Sequence, residues 1–188
     1  MKLFELANVL TGILKTRLNL AKVDYKDASD EPYYLLNYAC FGVNNYFIKK
    51  DFDKINIEEK FNKNALVQKG DIVVKLFPPI IFNLVNKTYS NLLIPSNIAI
   101  IRAKTIDPIL LIFLLETIKT KLEHSRQGIS LPLLNLKELK EIEIGNEKMN
   151  DAIILKKAKI AYLLNTQIKL IEKKKYYLDL RKKYFIKK

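Results

Sequence analysis

The sequence has little of what enzymes commonly use for catalysis. Its 188 residues include one cysteine, one histidine, five glycines and no tryptophan. A single histidine leaves almost no room for a His-based metal site or a Ser-His-Asp triad. Neither a P-loop nor a GxGxxG motif occurs. We interpret His124 as a surface residue that complements the dipole at the C-terminus of a helix.

Disulfides and long apolar runs are missing as well. Cys40 stands alone, which excludes a disulfide framework and fits a reducing compartment. The strongest apolar run, residues 109–115, is far shorter than the roughly 20 residues that a membrane span needs. The first residues, MKLFE, lack the apolar stretch of a signal peptide. These absences predict a soluble cytoplasmic protein that does not enter the membrane.

Positive charge is abundant, and it is concentrated in one segment. The chain has a net charge of +13, and residues 148–188 hold thirteen Lys and Arg against three Asp and Glu. That segment therefore carries +10 and the rest of the chain only +3. An apolar fraction of 49% argues against a disordered protein. The distribution indicates a folded body with a cationic extension, typical of proteins that bind polyanions such as nucleic acid.

Local patterns predict a mixture of helices and strands before residue 145. Asp107-Pro108 provides an N-cap and a proline at the first helical position, and that helix is expected to end near His124. The other predicted elements are a helix over 3–10, strand–turn–strand over 33–48, strands over 72–77 and 97–102, and a helical turn over 136–139 that leads into residues 142–144. The fold class is therefore α+β. We place the domain over 1–145, joined by Gly145-Asn146 to a long helix over 146–188.

The C-terminal segment has a seven-residue apolar repeat. Its rows are Leu163, Leu170, Tyr177 and Tyr184; Leu164, Ile171, Leu178 and Phe185; and Ile153 and Ile160, continued by Gln167 and Lys174. Adjacent rows of this kind form the stripe of a coiled-coil-like helix. The pattern favours pairing with another helix. The alternatives are that the helix packs on its own domain or lies on a membrane surface.

Two short motifs permit other chemistry only weakly. Phe77-Pro78-Pro79-Ile80 is similar to the proline loop of amino-methyltransferases but lacks the Asn or Asp that would bind the target amine. Glu58-Glu59-Lys60 matches half of a metal-dependent nuclease motif, without a convincing upstream Asp. A small nuclease that uses Glu58 and Lys60 therefore remains as an alternative. A solvent-exposed charged turn explains the same residues.

The order of several segments resembles one half of the DNA-specificity subunit of type I restriction-modification systems. Each segment is short, but together they cover nearly the whole chain. They are Leu6-Ala7-Asn8-Val9 with Gly12; Lys69-Gly70-Asp71-Ile72-Val73-Val74; Pro95-Ser96 before 98–102; Asp107-Pro108 with its helix; Arg126-Gln127-Gly128 before 136–144; and the long C-terminal helix.

The resemblance implies a target-recognition domain followed by a conserved spacer helix. Subunits of that family usually carry two such domains, so one domain implies a half-subunit that pairs with itself or with a second half. A homodimer would read a bipartite, palindromic DNA site. The implied partners are methyltransferase subunits, which would hold S-adenosylmethionine, and the restriction subunit. The chain itself would bind no cofactor and catalyse nothing. Gly145-Asn146 replaces the family's usual proline-bearing link.

Specific reading of double-stranded DNA requires polar side chains at base edges and cations at phosphates. We place the predicted contacts in polar loops: Lys15, Arg17, Asn44, Asn45, Tyr46, Lys49, Lys50, Arg126 and Gln127. The two asparagines are also good turn formers, and the lysines and arginines are equally compatible with a solvated surface. The predicted partner-helix residues are Ile153, Ile160, Leu163, Leu164, Leu170, Ile171, Tyr177 and Leu178. A stand-alone DNA-binding regulator or restriction inhibitor is the main alternative function.

Overall fold

A computed structural model describes most of the chain. The described residues are 1–14, 32–42, 48, 52–55, 66–124, 133–144 and 152–185, with side chains in the last helix up to residue 183. In chain order the elements are α1 (Leu3–Leu6), β1 (Ala7–Thr11), β2 (Tyr33–Leu35), a 3-10 helix (Tyr38–Cys40), β3 (Asp53–Ile55), β4 (Ile72–Lys75), β5 (Ile81–Leu84), β6 (Leu92–Leu93), β7 (Ile98–Ala103), α2 (Pro108–His124), α3 (Leu136–Glu141) and α4 (Ala152–Phe185).

The main sheet has four strands in the order β1-β7-β4-β5, and all neighbours are antiparallel. Residues of β4 and β7 alternate between its two faces. Ile72, Val74 and Ile101 belong to the core on the helix side, whereas Val73 and Ile100 belong to the core on the other side. Because both faces are covered, these strands are almost continuously apolar.

Helix α2 covers one face of the main sheet. The carboxylate of Asp107 accepts hydrogen bonds from the backbone N–H groups of Ile109 (2.7 Å) and Leu110 (3.4 Å), which confirms the predicted N-cap. The buried residues Leu111 and Leu115 lie in the same core as Ile72 and Phe82. The apolar run within 109–115 is therefore the middle of a core helix.

A smaller sheet lies on the other side, in the order β3-β2-β6. Its strands have two or three residues each, and β2 runs parallel to β6. Two isolated bridges extend this region: Leu66 pairs with Leu93, and Ile13 pairs with Pro95. The predicted strand at the start of 33–48 is confirmed as β2. The strand expected to end at 48 is not formed at Ile48, and β3 begins only at Asp53.

The predicted helix over 3–10 is wrong beyond its first turn. Helix α1 ends at Leu6, and residues 7–11 form β1, which pairs with β7 from Ala7↔Ala103 to Thr11↔Ala99. Ala7 and Val9 are buried while Asn8 is exposed, so burial in β1 has the two-residue period of a strand. Pairing along the edge of β7 overrides the helical pattern.

The remaining predicted elements are confirmed with small shifts. The strands predicted over 72–77 and 97–102 are β4 and β7, and the helical turn predicted over 136–139 is α3. The exception is residues 142–144, which form no strand: Glu143 makes an isolated bridge to Lys2, and the Ile144 N–H donates to the Met1 carbonyl at 2.8 Å. Strand β5 was not predicted. The joint at Gly145-Asn146 lies outside the described residues.

Candidate functional site

The eight residues predicted to meet a partner helix all lie on α4 with exposed side chains. Their exposed fractions range from 48% to 63%. We call these residues the stripe: Ile153, Ile160, Leu163, Leu164, Leu170, Ile171, Tyr177 and Leu178. The side chains of Tyr184 and Phe185, which would extend the two rows, lie outside the described residues. All eight side chains are therefore large, apolar or aromatic, and open to solvent in this chain.

The other face of α4 packs on the body of its own chain. Ala158 is 1% exposed, and Ile154, Leu155 and Tyr162 pack against the same core as α2. Successive helical residues are about 100° apart around the axis. Ile160 therefore lies roughly 200° from Ala158, on nearly the opposite side of α4. The helix has two apolar faces, one covered by its own domain and one uncovered in this chain.

The second half of α4 extends past the body. Along the body side of α4, buried and half-buried residues recur at helical spacing as far as Lys169. Burial, together with the nearby Lys87, lowers the pKa of the Lys169 amine. From Leu170 to Lys183 every side chain is exposed except the half-buried Leu180. Fourteen helical residues span about 21 Å. Half of the stripe lies on this overhanging part.

The overhanging part of α4 is also strongly cationic. From Leu170 to Lys183, six Lys and Arg stand against Glu172 and Asp179. The Lys173 amine lies 5.9 Å from the centroid of the Tyr177 ring, so charge and stripe meet on the same helix.

All nine predicted DNA contacts lie outside the described residues. They fall in four segments, which are 15–31, 43–47, 49–51 and 125–132. Glu58 and Lys60 of the alternative nuclease motif, and Gly128 of the predicted turn, lie outside them too. The structure does describe where these segments join the fold, and the joints are held by specific contacts.

Asn83 holds the start of segment 43–47. Its side chain is fully buried, in the middle of β5. Its Oδ1 accepts from the Gly42 N–H at 2.8 Å, and its Nδ2 donates to the Gly42 carbonyl at 3.1 Å and to the Phe82 carbonyl at 2.8 Å. The amide thus pairs with the Gly42 backbone as a neighbouring strand would. Gly42 directly precedes the segment that carries Asn44, Asn45 and Tyr46.

Asp71 and Arg102 hold the end of segment 56–65 in a similar way. The Arg102 guanidinium donates two hydrogen bonds to the Asp71 carboxylate, both at 2.8 Å, and a third to the Leu66 carbonyl at 2.9 Å. Asp71 also accepts from the Gln68 N–H at 2.7 Å. The hydrogen bond to Asp71 raises the pKa of Arg102. A bidentate pair of this kind fixes both position and orientation.

The other two joints lie at one end of the main sheet. The Ile13 N–H donates to the Ile94 carbonyl and Ser96 donates to the Ile13 carbonyl, both at 2.9 Å. A side chain on Gly12 would overlap the carbonyl oxygens of Ile94 and Pro95, so only glycine fits there. The Leu134 N–H donates to the Leu76 carbonyl at 2.8 Å. Segments 15–31 and 125–132 therefore both leave the fold near this end.

Sequence reasoning missed Asn83, Asp71 and Arg102 as residues that hold these joints. Asn83 had a usable signal, because it interrupts the apolar run of residues 80–85. A polar side chain inside such a run needs buried hydrogen-bond partners. Asp71 and Arg102 are 31 residues apart in sequence, and no local pattern identifies them as a pair.

The described residues include neither a metal-ligand cluster nor a membrane-spanning helix. Among them, no group of three or more His, Cys, Asp or Glu is placed to hold a metal ion. Within the described part of the chain, no helix has the length and apolar character needed to cross a bilayer.

No protein-family model and no curated protein matches this sequence. Solved structures with a similar fold do exist. The chain superposes on the HsdS subunit from Thermoanaerobacter tengcongensis with a TM-score of 0.53 and 13% identity, covering 91% of this chain and 38% of that one. It superposes on the type I restriction-modification system S subunit from M. genitalium with a TM-score of 0.57 and 13% identity, covering 98% and 43%.

A third structure, from work on complex assembly and conformational transition of the type I R-M system, gives a TM-score of 0.53 at 14% identity, covering 97% and 44%. This chain therefore has the fold of an S subunit and spans less than half the length of each of the three chains. At this level of identity the likeness is one of fold.

Proposed function

We propose that this chain recognises specific DNA sequences as a half-length specificity subunit of the type I restriction-modification kind. It reads one half-site through its domain and pairs through the stripe on α4 with a second half, either an identical copy or a related chain. Two paired halves supply the two reading domains that such a subunit needs. With identical halves, the two-fold axis of the protein requires a palindromic site.

One observation carries this proposal: α4 has an uncovered apolar face opposite the face that packs on α2. If the helix had only to pack on its own domain, one apolar face would suffice, and solvent would favour polar residues at Leu164 and Ile171. Instead both are more than half exposed. The fold likeness, with coverage of less than half of each S subunit, supports a half-length form independently of the stripe.

In this proposal the chain performs no chemical step. A methyltransferase subunit that binds S-adenosylmethionine would act at the DNA that this chain selects, and a restriction subunit would join the complex. The cationic outer surface of α4 increases affinity for DNA without sequence preference, and the joint at Gly42 holds the start of the segment that carries Asn44, Asn45 and Tyr46.

Selection from random duplex DNA tests the proposal. The chain is used alone and together with its methyltransferase subunit. We expect the selected sequences to contain two short half-sites in inverted order at a fixed separation, with sharper selection when the methyltransferase is present. Equally sharp selection by the chain alone would instead favour a stand-alone regulator. Metal-dependent cleavage of the duplex that Glu58→Ala abolishes would favour a nuclease. Selection of a single uninterrupted site would overturn the two-domain arrangement.

A further inference from the structure

Large apolar side chains are exposed together at one end of the main sheet. We call this the turn end; it is where Lys75 pairs with both Ile81 and Ile98 and where β1 finishes at Thr11. Four large apolar residues there have exposed fractions from 39% to 48%: Leu14, Tyr38, Phe77 and Leu133. Leu14 adjoins the Ile13 joint and Leu133 adjoins the Leu134 joint, so the chain itself brings them to the same end.

A cation is held in place among these side chains. The Lys75 amine lies 5.0 Å from the centroid of the Tyr38 ring and 3.4 Å from the Pro78 carbonyl oxygen. Lys75 is half-buried, because it is the last residue of β4, whose preceding residues lie in the core. Contact with the face of an aromatic ring fixes the ammonium group at the surface. A cation that is already positioned loses less conformational entropy when it meets an anion.

Tyr38 is held next to that cation. Its ring belongs to the 3-10 helix, which Asn37 caps by accepting from the Ala39 N–H at 2.9 Å. Burial raises the pKa of the Tyr38 phenol, against a weaker opposing hydrogen bond from the Asn97 side chain. The phenol therefore keeps its proton at physiological pH. The nearby Asp53 carboxylate is occupied by the Asn37 amide at 2.9 Å.

We infer that Tyr38, Lys75 and Phe77 form a contact with the backbone of duplex DNA, in addition to the contacts predicted from sequence. The ammonium and the phenol are donors that bind phosphate oxygens, and the exposed Phe77 ring suits the apolar face of the adjoining deoxyribose. This inference rests on the proposed function. The contact adds affinity and fixes the register of the domain on DNA without reading bases.

Position and charge favour DNA over a protein partner. Tyr38, Lys75 and Phe77 lie at the same end of the main sheet as the joints of segments 15–31 and 125–132, the segments of Lys15, Arg17, Arg126 and Gln127. A protein surface that covered Phe77 would remove the Lys75 amine from water, which costs free energy unless an acid pairs with it. A phosphate provides that negative charge at every step of the duplex.

Salt-dependent binding to a mixed-sequence duplex of 30 base pairs tests the inference. The full-length chain and its Lys75→Ala variant are compared by fluorescence anisotropy over a range of salt concentrations. We expect Lys75→Ala to raise Kd about fivefold and to reduce the slope of log K against log salt by about 0.9, the value for one lost phosphate contact. Tyr38→Phe keeps the ring and removes the hydroxyl, and should raise Kd about twofold.

Lys69→Ala is the matched control. Lys69 is an exposed lysine that precedes β4, at the opposite end of the strand from Lys75. It should change neither the slope nor Kd by more than about 1.5-fold. If the unmodified chain binds DNA but Lys75→Ala behaves like Lys69→Ala, the patch makes no DNA contact and the proposed function stands. If the unmodified chain fails to bind any duplex, the proposed function itself fails. Unchanged thermal melting shows that each variant is folded.

Discussion

The two faces of α4 have similar composition and opposite environments. The body face, centred on Ala158, is covered by α2, whereas the stripe, which includes Leu164 and Ile171, faces solvent. Both faces are apolar at helical spacing, so sequence alone could not say which one the domain covers. The length of the seven-residue rows is the distinguishing feature. On the body side Leu155 and Tyr162 are also spaced by seven, but Lys169 is the next residue of that row, whereas the two main rows of the stripe stay apolar or aromatic to Tyr177 and Leu178. Long repeats of seven are typical of helices that meet other helices.

The largest effect should come from placing charge in the stripe. We expect Leu164→Asp with Ile171→Asp to weaken self-association by at least about 1,000-fold, roughly 4 kcal/mol, because each pair then places four carboxylates in an apolar contact. Sedimentation equilibrium should show a monomer, with unchanged melting of the domain.

The control places the same two aspartates on the other side of the overhanging part. Tyr176 follows Ala158 by eighteen residues, about five full turns, so it points to the body side but lies past the body. In sedimentation equilibrium, the variant with Tyr176→Asp and Lys183→Asp should still have the mass of a dimer. A monomer in this control, or a dimer in the stripe variant, would show that the stripe is not the pairing surface.

A charge placed in the body face of α4 should lower the stability of the folded domain as well as affect self-association. Ala158 is buried against the core, and Ala158→Glu introduces both excess volume and a buried carboxylate. We expect a loss of about 3 kcal/mol in the free energy of unfolding, measured by urea denaturation. Lys157→Glu, at the exposed neighbouring position, is the control and should stay within about 0.5 kcal/mol. A neutral result for Ala158→Glu would mean that α4 does not depend on the body for its position.

The polar residues in the stripe's third row should tune pairing. Gln167 is exposed and continues the row of Ile153 and Ile160. Gln167→Leu should strengthen self-association about tenfold, roughly 1.4 kcal/mol, because it extends the apolar contact. Sedimentation velocity across a dilution series measures this change. A weaker dimer would indicate instead that Gln167 makes a hydrogen bond that fixes the register.

The smallest effect concerns α2, the helix that receives the body face. Burial raises the pKa of Glu116, with a lesser contribution from Glu123 and an opposing one from Lys119. A raised carboxyl pKa in the folded state means that ionisation disfavours folding, so this penalty is absent below the folded pKa range and present above it. Glu116→Gln should raise Tm by about 2 °C or less at pH 7, after allowance for solvent screening. The difference should vanish at about pH 4. A difference that persists at low pH would exclude ionisation as its cause.

The parts of the fold that follow from local chemistry were predictable. Asp107-Pro108 specified the start of α2, the Lys69-Gly70 turn preceded β4, and the heptad rows specified α4. Strands β1 and β5 were not, because their form depends on pairing with strands distant in sequence. The helical pattern of residues 3–10 is genuine up to Leu6, after which β7 offers a partner that a local pattern cannot reveal.

For the candidate site, the eight residues predicted to meet a partner helix all lie on one helix with exposed side chains, and their pairing remains a prediction. The nine predicted DNA contacts remain predictions. The residues that hold their segments could be found only in three dimensions, since Asn83 reaches Gly42 across 41 positions of sequence.

The way Asn83 holds Gly42 has a consequence for the proposed recognition of DNA. The amide grips only main-chain atoms, and so do the contacts at Ile13 and Leu134 and the guanidinium contact at Leu66. None of these contacts depends on the side chains of the adjoining segment. If those segments read DNA as proposed, substitutions within them would change the recognised sequence and leave these main-chain contacts in place.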